Sequence, residues 1–380
     1  MKINERELNK NWRVLKFREC INQLNTGLNP RQNFSFGSGN IKYITAKNLT
    51  KFGTIDFSKC DYIDEKAKKI INKRSDIRIN DILFSSRAPI GHCHLIKEEP
   101  NSYDIGESIF SIRPNKEIIL PEYLSLYLTS EHFIKSASKQ TTGSIILEIR
   151  VKDLMNTDVI VPPKEIQRNI AKCINDIDAK LEGNNKINDN LQQMVYQTYM
   201  HMFFGKKPNG LFKDFLVENE KSRIPVGDAK GKQGIYPFFT SGDAVYRWNG
   251  ALCNGRFIFL NTGGNADVKF YVGKSAYSTD TWCISFKNNL TEYMYLLLLS
   301  MKEELNKKYF QGTGLKHLQK PQLFKMPVYI PSNDELSAFN NIVIQPLETI
   351  SHNYQENESL NNMRNYLLPL LMNGQITIQD

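Results

Sequence analysis

Two stretches of this 380-residue chain carry the same landmarks in the same order. Thr142-Gly143 leads through Leu154 to Val159-Ile160-Val161-Pro162, and a long helical stretch follows that stops at Gly205. From Gln311-Gly312 the order recurs through Leu323 to Val328-Tyr329-Ile330-Pro331, with a second helical stretch that stops at Gly374. Gly143/Gly312, Leu154/Leu323, Pro162/Pro331 and Gly205/Gly374 are each 169 positions apart, and Pro121-Glu122-Tyr123-Leu124 is echoed by Thr291-Glu292-Tyr293-Met294 at 170. Stacked solenoid units repeat every ~20–50 residues. A period this long means a duplicated half, one globular block and one long helix, then both again. Such a chain can hold two similar sites related by a pseudo-two-fold axis, as a homodimer does by a true one.

The helical stretches are read from their spacing. In the first, Ile166, Ile170, Cys173, Ile177, Leu181, Asn184, Asn188, Leu191, Val195, Thr198 and Met202 step by threes and fours. In the second, Leu336, Phe339, Val343, Leu347, Ile350, Tyr354, Asn357, Asn361, Arg364, Leu367 and Leu371 do the same. That is an amphipathic seam with a polar middle in both copies. Pro162-Pro163 precedes the first helix, Ser332 and Glu335 form a capping box on the second, and Gly205 and Gly374 suit the stops. Each helix would be roughly 60 Å long if unbroken. Pro346 is expected to kink the second, and Gly183 with Asn184-Asn185 to weaken the first. Helices of ~40 residues far exceed the globular mean of ~11–12, so the two apolar seams are expected to pack on each other as in a coiled coil, holding the blocks apart at opposite ends.

The rest of the chain divides accordingly. The expected fold is α+β: α/β blocks at 1–162 and 205–331, long helices at 163–204 and 332–374, and a tail at 375–380. Strands are expected at 41–44, 81–84, 108–112 and 159–161 in the first block, and at 257–260, 268–271, 282–286 and 328–330 in the second. Helices are expected around 121–136 and 291–309. Phe36-Gly37-Ser38-Gly39-Asn40 and Asn261-Thr262-Gly263-Gly264-Asn265 read as exposed loops.

Charge follows the same division. Residues 1–162 hold 25 Lys/Arg against 19 Asp/Glu, and residues 205–331 hold 18 against 10. The helical stretches are neutral or acidic, so the surplus that makes the chain +9 sits on the globular blocks. A basic globular surface attracts phosphate backbones, although many basic proteins bind no nucleic acid. No apolar run reaches the ~18 residues needed to span a bilayer, and the start lacks the apolar core of a secretory signal. Six scattered cysteines without a C-x-x-C pair suit a reducing cytoplasm better than a zinc ribbon or a disulfide framework.

Catalytic signatures fail on inspection. Gly273-Lys274-Ser275 resembles the end of a P-loop, but Val268 stands where the first glycine is needed and a strand precedes it. His92-Cys93-His94 offers one strand face at most two metal ligands, and a structural reading is favoured. Asn261-Thr262-Gly263-Gly264-Asn265 lacks the dinucleotide pattern. No G-x-S-x-G or H-E-x-x-H is present. Nothing in the residues marks the chain as a catalyst, and no cofactor is expected.

The order of block, helix, block, helix resembles the specificity subunit of type I restriction–modification enzymes. The phrases that carry the resemblance are Asn80-Asp81-Ile82-Leu83-Phe84-Ser85, Pro89-Ile90-Gly91, Thr141-Thr142-Gly143-Ser144, Val159 to Gln167, and Phe203-Phe204-Gly205. The second half shows Gly234 to Ser241, Gln311-Gly312-Thr313-Gly314 and the Pro331 helix start. It departs where Gly255-Arg256-Phe257-Ile258-Phe259 replaces the Asn-Asp-Ile-Leu-Phe phrase, and where its helix start lacks Glu-Gln. The resemblance implies two target recognition domains, each reading one half of a bipartite site in double-stranded DNA. It also implies an antiparallel helix pair that spaces the half-sites and docks two modification subunits. Methyl transfer from S-adenosylmethionine to adenine would occur in those subunits, and ATP-driven translocation and cleavage in restriction subunits.

Phosphate contacts would come from Lys/Arg and loop amides, and base contacts from side chains that reach a groove edge. The candidates are Lys42, Arg87, Thr141 and Thr142 in the first block, and Arg256, Lys269, Gln311, Thr313 and Lys316 in the second. Arg87→Ala is expected to weaken binding at one half-site only, by ~1–3 kcal/mol if Arg87 reads guanine; equal loss on every sequence would make it a phosphate contact. The apolar seam, with Ile166, Ile170, Ile177, Leu181, Leu191 and Val195 on one helix and Leu336, Phe339, Val343, Ile350, Leu367 and Leu371 on the other, marks the partner-binding helices. Tyr43, Phe238 and Trp248 suit the core better than base stacking. Three other readings stand beside this one: service to a lone methyltransferase or Type II-like system, an enzyme in its own right, and a coiled-coil adaptor that binds no DNA. Steep salt dependence of DNA binding would separate the last from the rest.

Overall fold

The structure, a computed structural model, describes residues 11–31, 33–51, 53–138, 148–376 and 378. It divides into two compact units, one from residues 1–181 with 360–380, the other from 182–359. The first unit holds an antiparallel four-stranded sheet in the order Ile21–Thr26, Ile109–Pro114, Ile82–Ser85, Cys93–Leu95. A three-stranded sheet sets Ile41–Ile44 antiparallel to Asp61–Ile63 and parallel to Tyr103–Ile105. The second unit joins the same relations into one six-stranded sheet: Leu216–Glu218, Thr281–Phe286, Cys253–Asn261, Val268–Tyr277, Tyr236–Phe239, Val245–Trp248. Here the ten-residue strand Val268–Tyr277 serves for two short ones. It pairs antiparallel with Cys253–Asn261 as Cys93–Leu95 does with Ile82–Ser85. It also runs parallel to Tyr236–Phe239 as Tyr103–Ile105 does to Ile41–Ile44.

The landmarks of the repeat have structural work. Strand Asp158–Val161, just before the first long helix, pairs antiparallel with Arg13–Lys16, and Pro327–Val328 pairs likewise with Gly210–Leu211. Tyr123 is fully buried and donates its hydroxyl to the Ile160 carbonyl at 3.0 Å; Tyr293 repeats this toward Tyr329 at 2.6 Å. A buried carbonyl satisfied by a tyrosine hydroxyl tolerates little change. The expected helices around 121–136 and 291–309 each break in two, into Pro121–Thr129 and Glu131–Ser138, and Thr291–Ser300 and Lys302–Lys308. Ser130 and Met301 leave helical geometry at the breaks.

The long helices run Lys164–Phe203 and Asn333–Met372, 40 residues each. Gly205 and Gly374 follow their ends with φ of +79° and +69°, the left-handed cap only glycine adopts cheaply. At the second start, Ser332 Oγ accepts from the Glu335 N–H and Glu335 Oε2 accepts from the Ser332 N–H, the reciprocal capping box. Lys206 and Tyr329 also donate to Glu335, and these bonds hold its carboxyl down at about 2. Pro346 does not break the helix. The carbonyl it leaves without an N–H is that of Ile342, whose side chain is exposed, where water can serve instead.

Within each unit the two helix segments run antiparallel. In the first, Ile170 and Ile174 share a core with Leu368 and Leu371, and Arg364 Nε donates to Asp178 at 2.5 Å. In the second, Val195, Tyr199 and Phe203 meet Leu336, Phe339 and Val343. The expected polar middle is a layer of amides: Asn184 Nδ2 donates to Asn357 Oδ1 at 2.9 Å, and Asn353 Nδ2 to Asn188 Oδ1 at 2.8 Å. The seam therefore passes through Asn353. Tyr354, expected there, is 53 % exposed because the 3.6-residue period has carried it off the face.

Asp104 is fully buried beside the three-stranded sheet. Burial pushes its carboxyl up to about 7, against the pull of the Ile105 N–H and of Lys68. Between about pH 4 and 7 the folded chain then holds a proton that the unfolded chain, at ~3.9, releases, so stability falls as pH rises through that window. Asp104→Asn is expected to remove the fall and to stabilise the unit above pH 7 by up to about 4 kcal/mol. Urea midpoints of both proteins at pH 5 and 8 check this; a wild-type midpoint that does not drop would sink it.

Candidate nucleic-acid interface

In both units two loops converge at one end of a central strand. Past Ile82–Ser85, Arg87 forms a β-bridge with Glu148. Past Cys253–Asn261, Gly263 forms the matching bridge with His317. The Ile149 N–H donates to the Ser86 carbonyl at 2.8 Å in the first unit, and the Leu318 N–H to the Thr262 carbonyl at 3.0 Å in the second. The strands are equivalent by their neighbours, so the loops are too. Sequence similarity within the blocks is too low to show this match.

Arg87 lies between two carboxylates, donating to Glu107 at 3.0 Å with Glu148 3.4 Å from its Nε. The bond to Glu107 raises the guanidinium's pKa, while Asn29 and Arg87 together lower that of Glu107. Thr141 and Thr142 lie outside the described residues. Lys42 places its ammonium 4.3 Å from the centre of the Phe57 ring. In the second unit, Gln311 and Thr313 are exposed on the converging loop. Lys316 is half-buried there, with no ion pair among the described residues, and its carbonyl accepts from the Gly264 N–H at 2.9 Å.

Two candidates are committed elsewhere. Lys269 is 16 % exposed, donates to the carbonyls of Thr240 and Gly242 at 3.1 and 2.6 Å, and pairs with Asp267 at 3.0 Å. Arg256 donates to Glu292 at 2.7 Å and to Glu348 on the second long helix. Tyr43 and Phe238 are buried in the core and Trp248 is half-buried. His92 and His94 turn Nδ1 to the carbonyls of Leu49 and Gly53, at 2.6 and 2.7 Å, and so pin a loop.

Other residues at the site were not singled out from sequence. A cleft of about 540 Å³ opens beside the second unit's loops, lined by Glu218, Thr262, Asp280, Trp282, His317 and Lys320. Glu218 accepts from Trp282 Nε1 at 2.6 Å and from Lys320 at 2.9 Å, while the Lys320 ammonium lies 4.0 Å from the Trp282 ring centre. These residues are scattered over a hundred positions, and only the fold assembles them. The helix-seam residues are turned inward: Ile170, Ile177, Leu181, Val195, Leu336, Phe339, Val343 and Leu371 are buried within the chain, and Ile166, Leu191, Ile350 and Leu367 half-buried. The apolar side chains that the helices leave exposed are others, among them Ile187, Met194, Ile342, Met363 and Tyr366. Among the described residues no helix is long and apolar enough to cross a membrane.

Comparisons with known proteins agree with this architecture. The family described as type I restriction modification DNA specificity domain matches residues 9–193 and again 213–361. The MjaIX type I restriction enzyme specificity subunit of Methanocaldococcus jannaschii is 24 % identical over 420 residues, covering 98 % of this chain and 95 % of its own. The HindI specificity subunit of Haemophilus influenzae is 28 % identical over 176 residues, or 44 % of this chain and 37 % of its own. The crystal structure of a type I restriction–modification S subunit from M. genitalium superposes with a TM-score of 0.66 at 14 % identity, covering 98 % of both chains. With two copies of the family's domain taking in most of its length, the chain belongs to the type I restriction–modification DNA specificity proteins.

Proposed function

We propose that each unit reads one half of a bipartite site in double-stranded DNA, and that the paired helices set the spacing of the half-sites and dock two modification subunits. The observation that carries this is the duplicated pair of converging loops, placed by equivalent strands yet built from different residues. Different loops read different bases, so the two half-sites differ and the full site is not a palindrome. The chain itself does no chemistry: methyl transfer to adenine belongs to the modification subunits, and ATP-driven translocation and cleavage to restriction subunits. A partner helix would meet the exposed side chains of the long helices, since the seam is filled from within. The family membership and the names of the relatives support the DNA-specificity role.

The test is co-expression with a modification subunit, followed by mapping of methylated adenines with and without this chain. One split, asymmetric motif that depends on the chain is the expected result. A symmetric motif would overturn the half-site assignment, and no motif despite a stable complex would leave the helices as an adaptor.

A further inference from the structure

The first unit carries a row of cations that forms no ion pair among the described residues. Helix Glu65–Asn72 and its cap place Lys66, Lys69 and Lys73 at steps of three and four, on one face, with Arg74 beside the last. All four are exposed, and among the described residues none forms an ion pair. Even Glu65, one turn before Lys69, is not joined to it. Like charges at these spacings repel one another, so the row works against the helix that bears it.

The helix is nonetheless held firmly from behind. Ala67 and Ile71 pack with Ile41, Tyr43 and Ile63, and Asp64 caps the Ala67 N–H at 2.8 Å. Lys68 reaches away from the row and donates to the carbonyls of Pro100 and Asn101 at 3.0 and 2.7 Å. Arg74, at the end of the row, is linked to the loop site of the unit through the strand Ile21–Thr26. Arg74 donates twice to Thr26 Oγ1, at 3.0 and 2.7 Å. The next residue, Gly27, donates its N–H to the Ile109 carbonyl, two positions from Glu107, the partner of Arg87.

We propose that Lys66, Lys69 and Lys73 form a backbone-binding ridge that holds DNA phosphates beside the first half-site, adding affinity without choosing bases. Lys66 to Lys73 spans about 10 Å of helix axis, the reach of roughly three phosphates on one strand. An isolated surface lysine is ordinarily a solvated charge. A fixed row that forms no ion pair among the described residues, on the unit that carries a recognition loop, is what a polyanion would neutralise. The inference rests on the DNA-reading role above, and its test separates the two.

The K66Q/K69Q/K73Q variant, as full chain in complex with a modification subunit, is titrated with two duplexes, one carrying the mapped motif and one scrambled. Binding is expected to weaken ~10–100-fold on both, with the log–log salt slope shallower by about 2–3, and with the methylated motif unchanged. The K97Q/K116Q variant, which removes charge at the opposite end of the four-stranded sheet, is expected to change little. Unaltered affinity and salt slope, equal loss in the control, or a changed first half-site would each overturn the ridge. If the wild-type complex does not distinguish the duplexes, the DNA-reading role itself fails.

Discussion

Arg256→Ala is expected to destabilise the second unit by about 3–5 kcal/mol, the range for removing one partner of a buried ion pair. Glu292 is 2 % exposed and receives the Arg256 guanidinium at 2.7 Å. Glu348, on the second long helix, takes the other side of the same group. Without the arginine, the buried Glu292 loses its charged partner, and an unpaired polar group in the interior costs free energy. The R256M/E292L double variant should recover most of it, since apolar residues of similar volume often replace a buried pair without loss. Urea denaturation of the single and double variants measures both effects. A cost below ~1 kcal/mol would mean that solvent screens the pair and would return Arg256 to the DNA-contact candidates.

Gln167→Leu should cost the first unit about 3–5 kcal/mol. Its amide is wholly buried, and Oε1 accepts from the Leu120 N–H at 2.7 Å. Its Nε2 donates to the carbonyls of Pro162 and Ile118, at 2.8 and 3.2 Å. Leucine fills the space but leaves one N–H and two carbonyls without these partners, and each unsatisfied buried group costs about 1–3 kcal/mol. The upper sum is not reached, because leucine gains apolar burial. The repeat supplies a control, since Leu336 stands 169 positions on, in the place of Gln167. There the helix start is tied instead by Glu335 and by Asn209, which bonds both the N–H and the carbonyl of Ile330. Leu336→Met should be mild by comparison. If hydrogen-exchange protection around 118–124 survives in Gln167→Leu, the amide is not what fastens the helix.

The helices were legible because their signals are local. Periodicity, a capping box and terminal glycines lie within a few residues of what they specify, and the structure places the ends at Phe203 and Met372. Short apolar strands such as Ile41–Ile44 were legible for the same reason. Strand Arg13–Lys16 was not, because its partner lies about 145 residues away and its own four residues alternate weakly. The site was harder still. Arg256 and Lys269 read as exposed cations from their loop-like surroundings, and nothing near them in sequence announces Glu348 or the Thr240 carbonyl. Charge is visible in a sequence, but whether a charge is already answered is a property of the fold.

The amide layer obeys the repeat as well. Asn184 and Asn353 are 169 positions apart, as are Asn188 and Asn357. Asn184 donates to Asn357, and Asn353 donates to Asn188. Turned end for end, this pair of bonds is its own image: in it each helix supplies one donor and one acceptor, four residues apart, in the same order. The further bonds of Asn184 to Glu356 and of Asn357 to Asn185 have no such image, because Ile187 and Tyr354 stand at the matching positions. A polypeptide with a single repeat would present the groups that the two symmetric bonds need, and two such halves could close them by true symmetry, with no link between them.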